Sequence, residues 1–176
     1  MNNNKIIFIV RAAVIAALYA VITILQNVLF PGSASMAVQF RISEALTIIS
    51  VFTPAAVPGL TIGCIIANIS SLSSLGPYDL IFGSLASLFS TIAMYALRNV
   101  RLFNMPVAAA LMPAIMNGIF VGFEIDFFFI NNLSFDFGDF LIQGGLVAVG
   151  ELAVLFILGL PLFKLIECRK LYRLLK

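Results

Sequence analysis

The chain has 176 residues, 62% hydrophobic and only 10% charged, with a net charge of +2 and a mean hydropathy of +1.13. Ten basic and eight acidic side chains are too few to cover a water-soluble domain, in which about a quarter of residues are charged, so lipid is the expected solvent. The small charge excess excludes electrostatic nucleic-acid binding, and the absence of histidine excludes Ser/His or Cys/His catalysis and histidine-ligated zinc.

At about 20 residues per crossing, the length suffices for about six spans. The first is predicted over residues 6–30. Its apolar run is longer than the core of a secretory signal and carries Arg11 near its start, so it reads as a retained span although Ser35-Met36-Ala37 faintly resembles a processing site. A polar connector with Gln39 and Arg41 leads to a short second helix at 42–52. Pro54 and Pro58 break the chain there, because proline removes a backbone donor and disfavours helix at the preceding residue. A third helix follows at 55–69, then a serine-rich stretch ending at Gly76-Pro77. The fourth is predicted at 79–97, the fifth at 105–123 and the sixth at 140–166.

The second and third helices could instead form one kinked span, leaving five crossings. Charge placement decides, since lysine and arginine near span ends mark the cytoplasmic side. Lys5 and Arg11, then Arg98 and Arg101, then Lys164, Arg169, Lys170, Arg173 and Lys176 fall on one side only if the crossing number is even. Residues 124–139, with four acids and no base, then lie outside. The expectation is a single all-α membrane domain over residues 1–176, a bundle of about six transmembrane helices with both termini cytoplasmic.

An acid at the centre of a span costs about 2.5–3.5 kcal/mol on insertion scales. Polar groups at depth therefore need a reason. Glu151 lies about 16 Å into the sixth helix at 1.5 Å per residue, with Gln143 two turns above it on roughly the same face. Asn117 sits inside the fifth helix, Asn68 near the outer end of the third and Glu44 near the outer start of the second, while Glu124 and Asp126 end the fifth. Such residues mark a ligand or ion pathway by default. Plainer readings stand beside this one. Glu44 can pair with Arg41 one turn away, Asp79 can cap a helix, and Asn68 and Asn117 can join helices by hydrogen bonds. Glu124 can be solvated at a helix end, and Glu151 can lock helices together or carry a proton.

No G-x-x-x-x-G-K-S/T loop occurs, so ATP used in transport must bind another subunit. Cys64 and Cys168 match no metal or redox spacing, and no disulfide between them is expected. Ala12, Ala16 and Ala20, with Ala13 and Ala17 alongside, form a small-residue face that permits close helix approach, either within the bundle or against a partner protein. Gly59, Gly63 and Ala67 form a second such stripe, read as internal packing. Phe127, Phe128, Phe129, Phe135, Phe137 and Phe140 suit a lid over a planar ligand or, more simply, an interfacial belt.

The stretches Phe40-Arg41-Ile42-Ser43-Glu44-Ala45-Leu46, Phe52-Thr53-Pro54-Ala55-Ala56-Val57-Pro58-Gly59, Ile62-Gly63-Cys64-Ile65-Ile66-Ala67-Asn68 and Asp79-Leu80-Ile81-Phe82-Gly83-Ser84-Leu85-Ala86 resemble the QueT family. Its members are substrate-binding (S) components of energy-coupling factor (ECF) transporters, associated with uptake of queuosine precursors. The stretches cover the second to fourth helices, and from residue 105 onward the match is one of topology. The resemblance implies a non-enzymatic protein of the bacterial plasma membrane, without a cofactor, that binds its solute from outside in a pocket near the outer leaflet. It implies docking through Ala12, Ala16 and Ala20, flanked by Ala13 and Ala17, on a transmembrane coupling (T) subunit with two cytoplasmic ATPases, then toppling to release solute inward.

The implied solute is a 7-deazaguanine such as 7-aminomethyl-7-deazaguanine. Its guanine-like edge wants a carboxylate for its N–H donors and an amide for its carbonyl, and its aminomethyl cation wants another acid. Candidate substrate-binding residues are Glu44, Asn68, Asp79, Glu124, Gln143, Asn117, Arg41 and Glu151. The alternatives are an S component for another vitamin-like solute, a proton-coupled secondary transporter built on Glu151 and, weakest, an intramembrane enzyme working with acids alone.

Overall fold

The structure, a computed structural model, describes residues 3–30, 39–70, 72 and 76–175. Ser35-Met36-Ala37 and the connector around it lie outside the described residues. Helix α1 spans Asn3–Leu29, a 3₁₀ helix spans Ile42–Val51, and α2 spans Ala56–Ile69. Helix α3 follows over Tyr78–Ala96, α4 over Val107–Ile130 and α5 over Phe137–Cys168. A last helical turn covers Tyr172–Leu175. Helices α1, α3, α4 and α5 are long and apolar enough to cross a membrane, and the other two are shorter apolar helices. The largest boundary shift from the predicted spans is in α4, which passes Glu124 and Asp126 and runs on through π-type turns to Ile130. Those acids do not stop the helix because both are buried inside the bundle.

Side-chain contacts fix the direction of each element. Along α1, Gln26 bonds the backbone around Phe40 and Ile42, Thr23 meets Ser43, and Tyr19 meets Glu44, so the 3₁₀ helix runs antiparallel to α1. Gly59 rests on Ala12 and Gly63 on Ala16, so α2 runs parallel to α1. The 3₁₀ helix therefore runs back along α1 and is not half of a kinked span with α2. Asn68 meets Asp79 and Cys64 meets Ser87, which sets α3 antiparallel to α2. Phe82 packs on Phe123 and Phe89 on Phe120. Gly122 lies against Gly144, and Gly118 against both Gly144 and Ala148. Six elements alternate in direction, which brings the first and last described helices to the same end. Arg11, Arg98, Arg101 and Glu167 line one cavity there.

At about 2.0 Å rise per residue the ten-residue 3₁₀ helix covers about 20 Å. The 14 residues of α2 cover about 21 Å at 1.5 Å each. Both fall short of the ~30 Å hydrocarbon core. Neither is long enough to reach both membrane faces, and the polar residues at one end of each, Arg41 and Glu44 on the 3₁₀ helix and Asn68 on α2, are buried within the frame of longer helices. The apolar core fills the half of the bundle nearest the termini. Ile15, Ile49, Leu60 and Ile166 pack there in one cluster, and Ile48, Met94, Leu160 and Phe163 in another. Outward-facing Val14, Val21, Val28, Val149 and Ile157 are more than half exposed, as lipid-facing residues should be.

The alanine stripe requires a correction. Ala12, Ala16 and Ala20 are buried, and a Cβ on Gly59 or Gly63 would stand 2.8 Å from the carbonyl oxygen of Ala12 or Ala16. That face is occupied by the chain's own α2, because only glycine lets two helix backbones approach so closely. Ala13 and Ala17 remain exposed.

Candidate substrate-binding site

Arg41 enters the 3₁₀ helix from an extended backbone, which turns its side chain into the bundle, where the residue is 7% exposed. Its Nη2 lies 3.8 Å from Asp79 Oδ2 and its Nη1 3.9 Å from Cys64 Sγ. Glu44, in the first turn of the 3₁₀ helix, accepts a hydrogen bond from the Tyr19 hydroxyl. The Asn68 amide donates to the Asp79 carbonyl at 2.9 Å and reaches Cys64 Sγ at 3.6 Å. Gly83 keeps this corner open, since a Cβ there would stand 2.9 Å from Asn68 Nδ2. Glu124, buried on α4, interacts electrostatically with Asp79 and Arg41. Glu151, buried on α5, lies near Asn117 and feels the charges of Glu44 and Arg41.

Seven of the eight expected residues, Arg41 itself among them, thus belong to one buried polar cluster. Gln143 does not join them. It is half-buried on α5 and makes no hydrogen bond among the described residues. Two local readings need correction. Glu44 bonds Tyr19, and Arg41 instead pairs with Asp79. Asp79 does not cap α3, whose first turn lacks a side-chain cap. The aspartate that caps a helix is Asp136, which accepts from the Gly138 and Asp139 amides at 2.7 and 3.1 Å at the start of α5. The aromatics divide. Phe128 stacks on Tyr78 at 4.0 Å and Phe127 packs on Phe123, whereas Phe129, Phe135 and Phe137 keep about half or more of their surface exposed.

Tyr19, Thr23 and Gln26 were not singled out from the sequence, yet all three are buried against the site. Their spacing of four and then three residues places them on one helix face. In an otherwise apolar span that was a readable polar stripe.

The electrostatics of the cluster are uneven. Arg41 Nε, Glu44 Oε2, Asp79 Oδ2, Ser84 Oγ, Glu124 Oε2 and Glu151 Oε2 are all buried without a hydrogen-bond partner. Most buried polar atoms in folded proteins have one, and an unpaired buried charge carries a large desolvation penalty. Four buried carboxyl groups lie within electrostatic range of a single guanidinium, and only Asp79 is at ion-pair distance. The arrangement is short of donors and of positive charge, so it can accept hydrogen bonds from a ligand that brings both.

The sequence matches the family described as "QueT transporter" over residues 9–168. It is 31% identical, over 166 residues, to "Queuosine precursor transporter QueT" of Lactococcus lactis subsp. cremoris strain MG1363, an alignment that covers 89% of this chain and 90% of that protein. No solved structure matches the chain.

Proposed function

Because the chain belongs to the QueT transporter family, we propose that it is the substrate-binding component of an ECF-type importer and takes up a queuosine precursor of the 7-deazaguanine type, such as 7-aminomethyl-7-deazaguanine. It is a multi-pass protein of the bacterial cell membrane. The observation that carries the substrate reading is the set of orphaned carboxyl oxygens around Arg41. A guanine-like ring presents adjacent N–H donors that a carboxylate accepts in pairs, and an aminomethyl group adds an ammonium that a second carboxylate balances. Glu44, Asp79 and Glu124 are the acids for these roles. Arg41 and Asn68 supply donors for the ring carbonyl. Asn117 and Glu151 close the site toward the core, and Gln143 stands at its outer side.

Positive-inside placement sets the end that carries Arg11, Arg98 and Arg101 in the cytoplasm, so the polar cluster loads from the outer half. The chain has no nucleotide-binding loop, and the energy comes from a transmembrane coupling subunit with two cytoplasmic ATPases. Ala13 and Ala17, exposed on α1, are the small residues left for that docking. The role is binding and translocation, not catalysis.

The test is ligand-dependent thermal shift of the detergent-purified protein with 7-aminomethyl-7-deazaguanine. Alanine at Glu44, Asp79 and Glu124 in turn should abolish the shift at two or more positions. Unchanged shifts at all three reject the site. A wild-type protein that ignores the deazaguanine and responds to another vitamin-like solute changes the substrate but keeps the architecture. Uptake into liposomes without any ATPase, driven by a pH gradient, makes it a proton-coupled carrier instead.

A further inference from the structure

At the end of the bundle opposite the acid cluster lies a cavity of about 770 Å³, lined among others by Asn4, Arg11, Tyr95, Arg98, Arg101 and Glu167. Its volume is within the usual range for small-molecule sites. The segments that meet here, residues 3–11, 98–101 and 164–173, carry eight basic residues (two, two and four in turn) and one acid, Glu167. Glu167 is engaged by Arg101 at 3.6 Å. Neither Arg11 nor Arg98 has a carboxylate partner among the described residues.

Two of the guanidinium groups are held in fixed orientations. Arg98 lies 4.0 Å over the Tyr95 ring and donates from Nη1 to the Tyr95 carbonyl at 2.8 Å. Arg101 lies 4.7 Å over the Phe163 ring. A stacked guanidinium keeps its remaining N–H groups in a rigid fork, the geometry that suits two oxygens of one phosphate. Arg11 is about 12 Å along the axis of α1 from Asn3 at 1.5 Å per residue. It is half-buried and lines the cavity instead of facing the lipid.

We propose that this cavity is an anionic phosphate site, in which Arg11 and Arg98 take the oxygens of a phosphodiester or phosphate monoester that carries no cation of its own. The headgroup of an anionic lipid is one source of that chemistry, since the cytoplasmic leaflet is rich in such lipids. A free phosphate compound is the other. The site is independent of the acid cluster and of the substrate bound there.

The experiment is native mass spectrometry with parallel thermal shift on the full chain in a neutral detergent. Phosphatidylglycerol, phosphatidylcholine, glycerol 3-phosphate and inorganic phosphate are added in separate arms. Wild-type protein should retain phosphatidylglycerol in preference to phosphatidylcholine, or respond to the soluble phosphates. The first result assigns the lipid source and the second the free source. Arg11→Gln and Arg98→Gln should each weaken binding about tenfold, the scale of one charge-assisted contact. Lys164→Gln, which removes an exposed charge at the same end but outside the cavity, should stay close to wild type. If Arg98→Gln fails to fold, Arg98→Lys keeps the charge and loses the fork, and it too should bind more weakly. The proposal is overturned by equal retention of the two lipids with no phosphate response, by arginine variants that bind as wild type does, or by Lys164→Gln proving as damaging as Arg98→Gln. The last result would mean a diffuse field and no built site.

Discussion

Arg41 and Asp79 face each other at 3.8 Å with both side chains more than nine-tenths buried, within ion-pair range and beyond hydrogen-bond reach. Each keeps an unpartnered atom, Nε on one side and Oδ2 on the other. Coulomb attraction holds the pair while its directional bonding capacity stays available to a ligand. The pair is also asymmetric, because Arg41 is the cation for four carboxyl groups whereas Asp79 is one acid of four. Removing one partner of a buried ion pair costs roughly 3–5 kcal/mol. Arg41→Met should therefore lie at the upper end of that range and Asp79→Asn at or below the lower end. Thermal denaturation of the ligand-free protein in detergent gives the order. A more damaging Asp79→Asn would mean that the other acids do not depend on Arg41.

The Tyr19 hydroxyl is the donor that Glu44 receives from the protein. Tyr19→Phe leaves a fully buried carboxyl without it, a loss of about 1–3 kcal/mol. Thr23 lies one turn further along the same stripe and bonds Ser43 at 2.6 Å, but that pair is neutral. Thr23→Val should be the milder change. Equal melting temperatures for the two variants would show that Glu44 is satisfied by other groups.

Helix α1 packs on α2 through backbone, and this fixes which glycines tolerate a methyl group. A Cβ on Gly63 meets the Ala16 carbonyl at 2.8 Å, whereas one on Gly145 meets nothing within 4 Å. Gly63→Ala should destabilise by about 1–3 kcal/mol, as overpacking does. Gly145→Ala should be neutral or stabilising by up to about 1 kcal/mol, since alanine is the better helix former. Adding Ala16→Gly should not rescue Gly63→Ala, because the obstacle is a main-chain oxygen. Rescue would show that the helices can shift to relieve the contact.

Much of this fold was legible because each device leaves a pattern in sequence. Apolar run length and the breaks at Pro54 and Pro58 located the six helices, and basic residues at three span ends predicted an even number of crossings. The gathering of Glu44, Asp79, Glu124 and Glu151 followed from the expense of acids at depth. Pairings were less legible, because they depend on which helices touch. Arg41 is one turn from Glu44 in sequence yet pairs with Asp79, since α3 runs back along α2 and brings Asp79 beside Asn68. The stripe Ala12, Ala16, Ala20 suits a partner or the chain's own α2 equally well by composition. What decides is that Gly59 and Gly63 present the matching spacing, a long-range fact that neither stripe contains alone.

Two native cysteines make the membrane orientation testable. Cys168 is exposed at the basic end of α5, and Cys64 is buried with Arg41 and Asn68 on its sulfur. With both termini cytoplasmic, a membrane-impermeant maleimide should leave intact cells unlabelled and should label Cys168 in inside-out vesicles. Cys64 should stay unreactive in both until the protein is denatured. Ser134→Cys, exposed in the acidic connector between α4 and α5, should reverse the pattern and label in intact cells. Labelling of Cys168 and of Ser134→Cys from the same side would mean that α5 does not cross. A full inversion, with Cys168 reached from outside, would turn the acid cluster toward the cytoplasm. Such a cluster could not load from the medium, and the importer reading would fail even with the six-helix fold intact.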